Sequence, residues 1–131
     1  MNNMISEQRF LQNLYEAFNR REVEKILSVM QPDVVWANGM EGGFVYGRDA
    51  VREYWRKQFE MTRGQLEPLE FQRDENGRSV VTVHLMVRDL EGNLLAEKTV
   101  RQIFTIENGL ISLFEIGDDA EPLKLMKTAD E

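Results

Sequence analysis

The sequence predicts a single α+β domain in which helices come first and an antiparallel sheet follows. Apolar residues recur at helical spacing up to residue 61 and alternate as in strands from residue 66 onward. Turn sequences, of which Asn108-Gly109 is the strongest, divide the second part into strands joined by hairpins. A chain of 131 residues has the size of one domain. We therefore expect one domain over residues 1–117 and an acidic, flexible tail over residues 118–131.

The first part of the chain is expected to contain three helices and one strand. The first helix carries an apolar stripe over residues 10–18, and the second is short and stops before Pro32, because proline cannot continue a helix. A β-branched and aromatic strand follows over residues 34–37. A glycine-rich loop over residues 38–47 then leads to the third helix, residues 48–61.

Four strands are expected in the second part, over residues 66–73, 79–89, 94–106 and 110–116. Pro68 cannot donate a ladder hydrogen bond, so the first of these strands is expected at an edge of the sheet. The predicted order is therefore ααβαββββ.

Composition excludes several classes of function. The formal net charge of −7 has the wrong sign for a phosphate backbone or an anionic membrane, so neither partner is expected. There is no cysteine, and the single histidine, His84, has no carboxylate pair close to it in sequence, so we predict no metal site and no cofactor. The first residues lack the basic start and apolar stretch of a signal peptide, and we expect a cytoplasmic protein.

Several short segments resemble the nuclear transport factor 2-like superfamily, and in particular its SnoaL-like branch. These segments are YEAFN at 15–19, Trp36, YGRDAV at 46–51 with Tyr54-Trp55, VRDLEGNLL at 87–95 and NGLI at 108–111. The resemblance implies a cone-shaped, cystatin-like fold in which a strongly curved sheet wraps around the helices and encloses an apolar cavity. It also implies a convex sheet face that often forms a dimer interface. Members include ketosteroid isomerases, polyketide cyclases, dehydratases, epoxide hydrolases and association modules, so the fold does not define an activity.

Comparison with the ketosteroid isomerase branch tests one mechanism. That chemistry needs a carboxylate base, together with a tyrosine and a neutral acid that donate to the developing oxyanion. The resemblance places the tyrosine at Tyr15, the base at Asn38 and the acid near Gln102. An amide cannot abstract a proton, so isomerisation by that mechanism is not expected, although Gln102 can still donate a hydrogen bond.

The strand over residues 79–89 has two faces, one with Thr82 and His84 among apolar residues and one that is wholly apolar. We assign the face with His84 to the cavity, where His84 and Tyr15 are the candidate catalytic residues. The alternative is that His84 is a neutral, hydrogen-bonded core histidine. Because both faces are apolar enough to need cover, we expect a homodimer through the convex face.

Aromatic residues are the candidate walls of a binding pocket, with a filled aromatic core as the alternative. The predicted substrate-binding residues are Trp36, Asn38, Tyr54, Trp55, Phe59, Gln102 and Phe104. The glycine-rich loop is either a lid at the cavity mouth or an ordinary connection. Two functions follow as hypotheses. The first is binding of a small hydrophobic carbonyl or hydroxy compound, with acid–base chemistry of the isomerase, lyase or cyclase type. The second is a non-catalytic, homodimeric binding or association module.

Overall fold

The computed structural model describes residues 3–119, and within that range the chain forms three helices and one six-stranded sheet. The helices are Asn3–Asn19 (α1), Val23–Leu27 (α2) and Arg48–Met61 (α3). The strands are Met30–Ala37 (β1), Phe44–Tyr46 (β2), Arg63–Arg73 (β3), Ser79–Arg88 (β4), Leu94–Glu107 (β5) and Leu110–Asp119 (β6). None of the described helices is both long and apolar enough to cross a membrane.

The sheet is mixed, curved and open, with the strand order β2-β1-β6-β5-β4-β3. All neighbouring strands are antiparallel except β1 and β6, which are parallel. The predicted α+β fold class is therefore confirmed. Asn108 and Gly109 both have positive φ, of 55° and 80°, and form the predicted two-residue turn between β5 and β6. The strand that carries Pro68, β3, lies at an edge as predicted.

Two differences from the predicted order occur near β1. The strand starts at Met30, which the apolar spacing had assigned to α2, because Ile111 N donates to Val29 O and draws the chain into the sheet. The glycine-rich segment contains a further short strand, β2, so the observed order is ααββαββββ. Only three residues of β2 pair with β1, too few for alternation to indicate a strand.

The first helix is fastened to the edge strand β3 near both of its ends. Asn19 exchanges two hydrogen bonds of 2.9 Å with the backbone of Leu66. Glu7 accepts from Arg73 at 2.7 Å and from the buried hydroxyl of Ser79 at 3.0 Å. These bonds hold α1 across the inner face of the sheet. The residues of the predicted tail from 120 onward lie outside the described part of the chain, and β6 itself extends to Asp119.

Candidate functional site

A cavity of about 350 Å³ lies between the inner face of the sheet and the helices. All three helices contribute to its walls, as do β1, β6, β5, β4 and the beginning of β3. The cavity is within the usual size range of small-molecule sites. Six of the nine predicted site residues line it, namely Tyr15, Trp36, Tyr54, Trp55, Gln102 and Phe104.

Aromatic rings form the inner part of the cavity. Trp36 stacks on Phe114 with ring centroids 4.2 Å apart and meets Trp55 edge-on at 5.0 Å. Phe104 is packed between Tyr15 and Phe114, with centroid distances of 6.2 and 5.2 Å. These rings are largely buried, yet they leave the cavity open, so the aromatic residues are walls of a space and do not fill it.

A tyrosine and a glutamine form the polar part of the inner wall. The Tyr15 hydroxyl donates a hydrogen bond of 2.7 Å to Oε1 of Gln102. Tyr15 is only 3% exposed, and burial raises the pKa of its hydroxyl well above the ordinary value of 10.0. The bond fixes the orientation of the Gln102 amide. Its Nε2 group makes no hydrogen bond to any residue between 3 and 119, so it remains a donor that a ligand oxygen can accept from.

The cavity wall that follows β1 is held by a second tyrosine. The Tyr54 hydroxyl accepts a hydrogen bond of 3.0 Å from Gly39 N, which ties α3 to the β1–β2 turn. Burial is the main reason why the pKa of Tyr54 is raised, although the backbone donors Gly39 and Met40 oppose this effect. Gly39 and Met40 line the cavity, so part of the glycine-rich segment does contribute to its wall.

Asn38 does not take the position expected for a pocket residue. Its Oδ1 accepts hydrogen bonds of 2.9 Å from the backbone N–H groups of Met40 and Glu41. Asparagine commonly shapes turns in this way. The side chain is thus engaged in the turn after β1 and does not line the cavity.

His84 lies on the opposite face of the sheet from the cavity, so its assignment to the inner face was wrong. Its Nε2 is 2.7 Å from Oε2 of Glu97, and its Nδ1 is 3.8 Å from Oε1 of Glu67. The inner face of β4 carries the wholly apolar set, in which Val81 and Val83 are 0% exposed. The physical reason is that the fully apolar face gains more from burial than the face interrupted by Thr82 and His84.

Phe59 also lies outside the cavity lining. It packs edge-on against Phe18 at 5.5 Å, and the Arg21 guanidinium lies 5.2 Å from its ring centre. Phe18 itself lines the cavity, so Phe59 supports the wall from behind.

Three polar residues of the lining were missed by the sequence analysis: Gln58, Thr62 and Lys98. Gln58 follows Tyr54 and Trp55 at helical spacing on the buried face of α3. A polar residue on an otherwise apolar helix face indicates a possible site residue, so Gln58 was recognisable from the sequence. Lys98 shares its face of β5 with Val100 and Gln102, so the alternation of β5 also indicated it. The lining contains no Asp, Glu or His, and no group of metal-binding side chains occurs between residues 3 and 119.

The raised pKa of Tyr15 predicts a specific alkaline destabilisation. Below pH 10 the hydroxyl is protonated in both states and the shift has no effect. Above that pH the unfolded chain loses the proton while the folded protein retains it, so the free energy of unfolding falls by up to about 1.4 kcal/mol per pH unit. Chemical denaturation between pH 8 and 11 should show a shallower fall for Tyr15→Phe than for wild type. Tyr46→Phe, at a 68% exposed position, is the control and should follow wild type. Identical slopes in all three proteins would contradict the burial of this hydroxyl.

Comparison with known proteins agrees with this architecture. A protein of unknown function from Burkholderia pseudomallei, described as NTF2-like, is 29% identical, with a TM-score of 0.75 over 91% of this chain and 92% of that one. TerC, co-crystallised with polyporic acid, is 26% identical, with a TM-score of 0.71 over 91% and 92% of the two chains. SalBIII, an epoxide hydrolase/cyclase-like enzyme, has a TM-score of 0.75 over 88% and 92% at 16% identity, which shows the shared fold alone.

Comparison with curated protein sequences gives no match. A family model, in contrast, matches residues 11–114, a range that runs from within α1 to within β6 and includes nearly all of the cavity lining. The chain belongs to the SnoaL-like domain family.

Proposed function

We propose that this domain binds a small, largely apolar carbonyl compound in the cavity, with the carbonyl oxygen accepting a hydrogen bond from Gln102. The observation that carries this proposal is the Tyr15–Gln102 hydrogen bond inside an apolar cavity of about 350 Å³. Tyr15 already donates to Oε1, whereas both N–H groups of Nε2 are without a partner among residues 3–119, so the amide offers a ligand chiefly a donor. A carbonyl oxygen is the simplest group that accepts a hydrogen bond from Nε2 of Gln102 and belongs to an otherwise apolar ligand.

The size and chemistry of the cavity support a ligand of two or three fused or linked rings. The flat aromatic surfaces of Trp36 and Phe104 suit an unsaturated or polycyclic body. The complex of the related protein TerC with polyporic acid is in accord with a small-molecule role.

Binding is favoured over catalysis by a carboxylate base, because the lining lacks carboxylates and His84 lies on the other face of the sheet. The titratable side chains of the lining are Tyr15, Tyr54 and Lys98. The Tyr15 hydroxyl is protonated at neutral pH, as any tyrosine with a pKa of 10 or more is, and burial raises its pKa further, so it supports the Gln102 donor and does not act as a base.

Binding can be tested with 2-acetonaphthone, which carries one ketone on two fused rings, within a panel of aromatic and steroid ketones. A ligand at 100 times its Kd stabilises the folded protein by about 2.7 kcal/mol, which a melting-temperature shift detects. We expect such a shift for wild type and a Kd about two- to thirteenfold weaker for Gln102→Leu, since a lost hydrogen bond costs about 0.5–1.5 kcal/mol. His84→Ala is the matched control on the other face and should bind as wild type does. No shift with any ketone, or an unchanged Kd in Gln102→Leu, would contradict the proposal.

The outer face of the sheet supports a second proposal, that two copies of the domain associate through it. Val80, Met86, Ile103 and Leu113 belong to this face and are only partly buried within one chain. His84 with Glu97 adds a polar pair in the same region. An apolar face with a few polar groups resembles the composition of protein interfaces.

Light scattering at micromolar concentration is expected to give twice the mass of one chain. Ile103→Glu places a charge on the outer face and should shift the protein to the monomer, while far-UV circular dichroism and 2-acetonaphthone binding stay unchanged. Gln12→Glu, at an exposed position of α1, adds the same single negative charge away from the outer face and controls for the change of charge alone. A monomeric wild-type protein would rule out this interface.

A further inference from the structure

We infer that Gln58 forms a second polar subsite of the cavity, which recognises a hydroxyl group on the ligand. This inference rests on the proposed binding function and specifies the ligand further. It starts from an unusual feature of α3: Oε1 of Gln58 has almost no exposed surface and no hydrogen-bond partner among residues 3–119. Buried polar atoms in folded proteins nearly always have a partner, so an orphaned acceptor beside a cavity calls for an explanation.

The position of Gln58 connects the orphaned acceptor to the cavity. Gln58 lines the cavity, one helical turn after Tyr54 and Trp55 and one turn before Thr62, which also line it. Tyr54, Trp55 and Gln58 therefore form one stripe of α3 along the cavity, and Thr62 continues it directly after the helix ends. The only other unpartnered buried side-chain oxygen of the described chain belongs to Glu22, which lies away from the cavity and has Lys25 at 3.8 Å.

The backbone around Gln58 is fixed, whereas its side-chain amide is free to adjust. Thr62 donates two hydrogen bonds to the carbonyl oxygen of Gln58, from its backbone N at 2.9 Å and from its hydroxyl at 3.2 Å. These bonds hold the last turn of α3 in place. The terminal torsion of a glutamine is soft, so rotation about it can turn Oε1 toward the cavity without moving the helix.

A hydroxyl is the ligand group that fits this amide best. It donates to Oε1, and it also accepts from the amide nitrogen when the amide is turned the other way. A ketone or ether oxygen only accepts and leaves Oε1 unsatisfied. The two glutamines thus set a pattern for the ligand, with an acceptor at Gln102 and a hydroxyl at Gln58 on an apolar body. Sites that hydrogen-bond a ligand hydroxyl discriminate strongly against analogues that lack it.

The test compares 2-acetonaphthone with its 6-hydroxy, 7-hydroxy and corresponding methoxy derivatives by calorimetry at pH 6.5, where the naphthols are neutral. In wild type, at least one hydroxy compound is expected to bind about tenfold or more tightly than the parent ketone, while its methyl ether gains nothing. In Gln58→Met, which keeps the length of the side chain without its polar atoms, the hydroxy compound should bind no better than the parent. Gln12→Met, at an exposed position of α1, should keep the wild-type preference.

A second measurement does not depend on the ligand. Removing an orphaned acceptor relieves an unfavourable burial, so Gln58→Met without ligand should melt several degrees above wild type, and Gln12→Met should not. Gln58→Leu repeats both measurements if the methionine variant does not fold. The Gln58 subsite would be ruled out if wild type bound the ketone and all its hydroxy derivatives equally well, or if Gln58→Met kept the preference for a hydroxy compound. Neither result would affect the proposed ketone site at Gln102. Failure of 2-acetonaphthone and the rest of the ketone panel to bind would instead count against the proposed function.

Discussion

The packing of Trp36 is the interaction on which the rest of this structure depends. Its ring stacks on Phe114 of β6 and meets Trp55 of α3 and Phe104 of β5 at 5.0 and 6.3 Å. One side chain of β1 thereby connects strands β6 and β5 to helix α3. Each aromatic contact of this kind contributes about 0.5–1.5 kcal/mol beyond the area that it buries. Since the same rings border the cavity, the packing that stabilises the fold also sets the shape of the space.

The cavity exists because the helices cover only part of the inner face of the sheet. The apolar face of β4 shows this along a single strand. Val81 and Val83 are fully buried, whereas Leu85 and Val87, further along the same face, are partly buried and line the cavity. An uncovered apolar surface in a concave space is a site for an apolar ligand. Tyr15, Gln102 and Gln58 then supply the few polar groups that can orient such a ligand.

The fold was largely predictable from the sequence, because its local signals agree with one another. Four features were predicted from residues close together in sequence: the apolar stripe of α1, helix α3, the Asn108-Gly109 turn and the edge position of the strand with Pro68. The short strand β2 was not predictable, since it is specified by pairing with β1 and not by its own three residues.

The site was predictable only in part, for a related reason. Alternation places residues on one of two faces, but it does not say which face is the inner one. The face of β4 that carries His84 was predicted to face the cavity, but in the structure that face points outward. The inner face is the one without polar interruptions, and this criterion alone would have assigned it correctly. Asn38 was expected in the cavity because strand alternation was extended to the last residue before the turn. At that position the side chain instead accepts hydrogen bonds from the backbone of its own turn, and these bonds determine its direction.

A crystal structure of the protein with 2-acetonaphthone would test the central claim most directly, because it locates the ligand oxygen. The proposed site predicts the naphthalene rings against Trp36 and Phe104 and the ketone oxygen about 3 Å from Nε2 of Gln102, with the Tyr15–Gln102 bond preserved. A ligand on the outer face beside His84, or one in the cavity with its oxygen remote from Gln102, would contradict it.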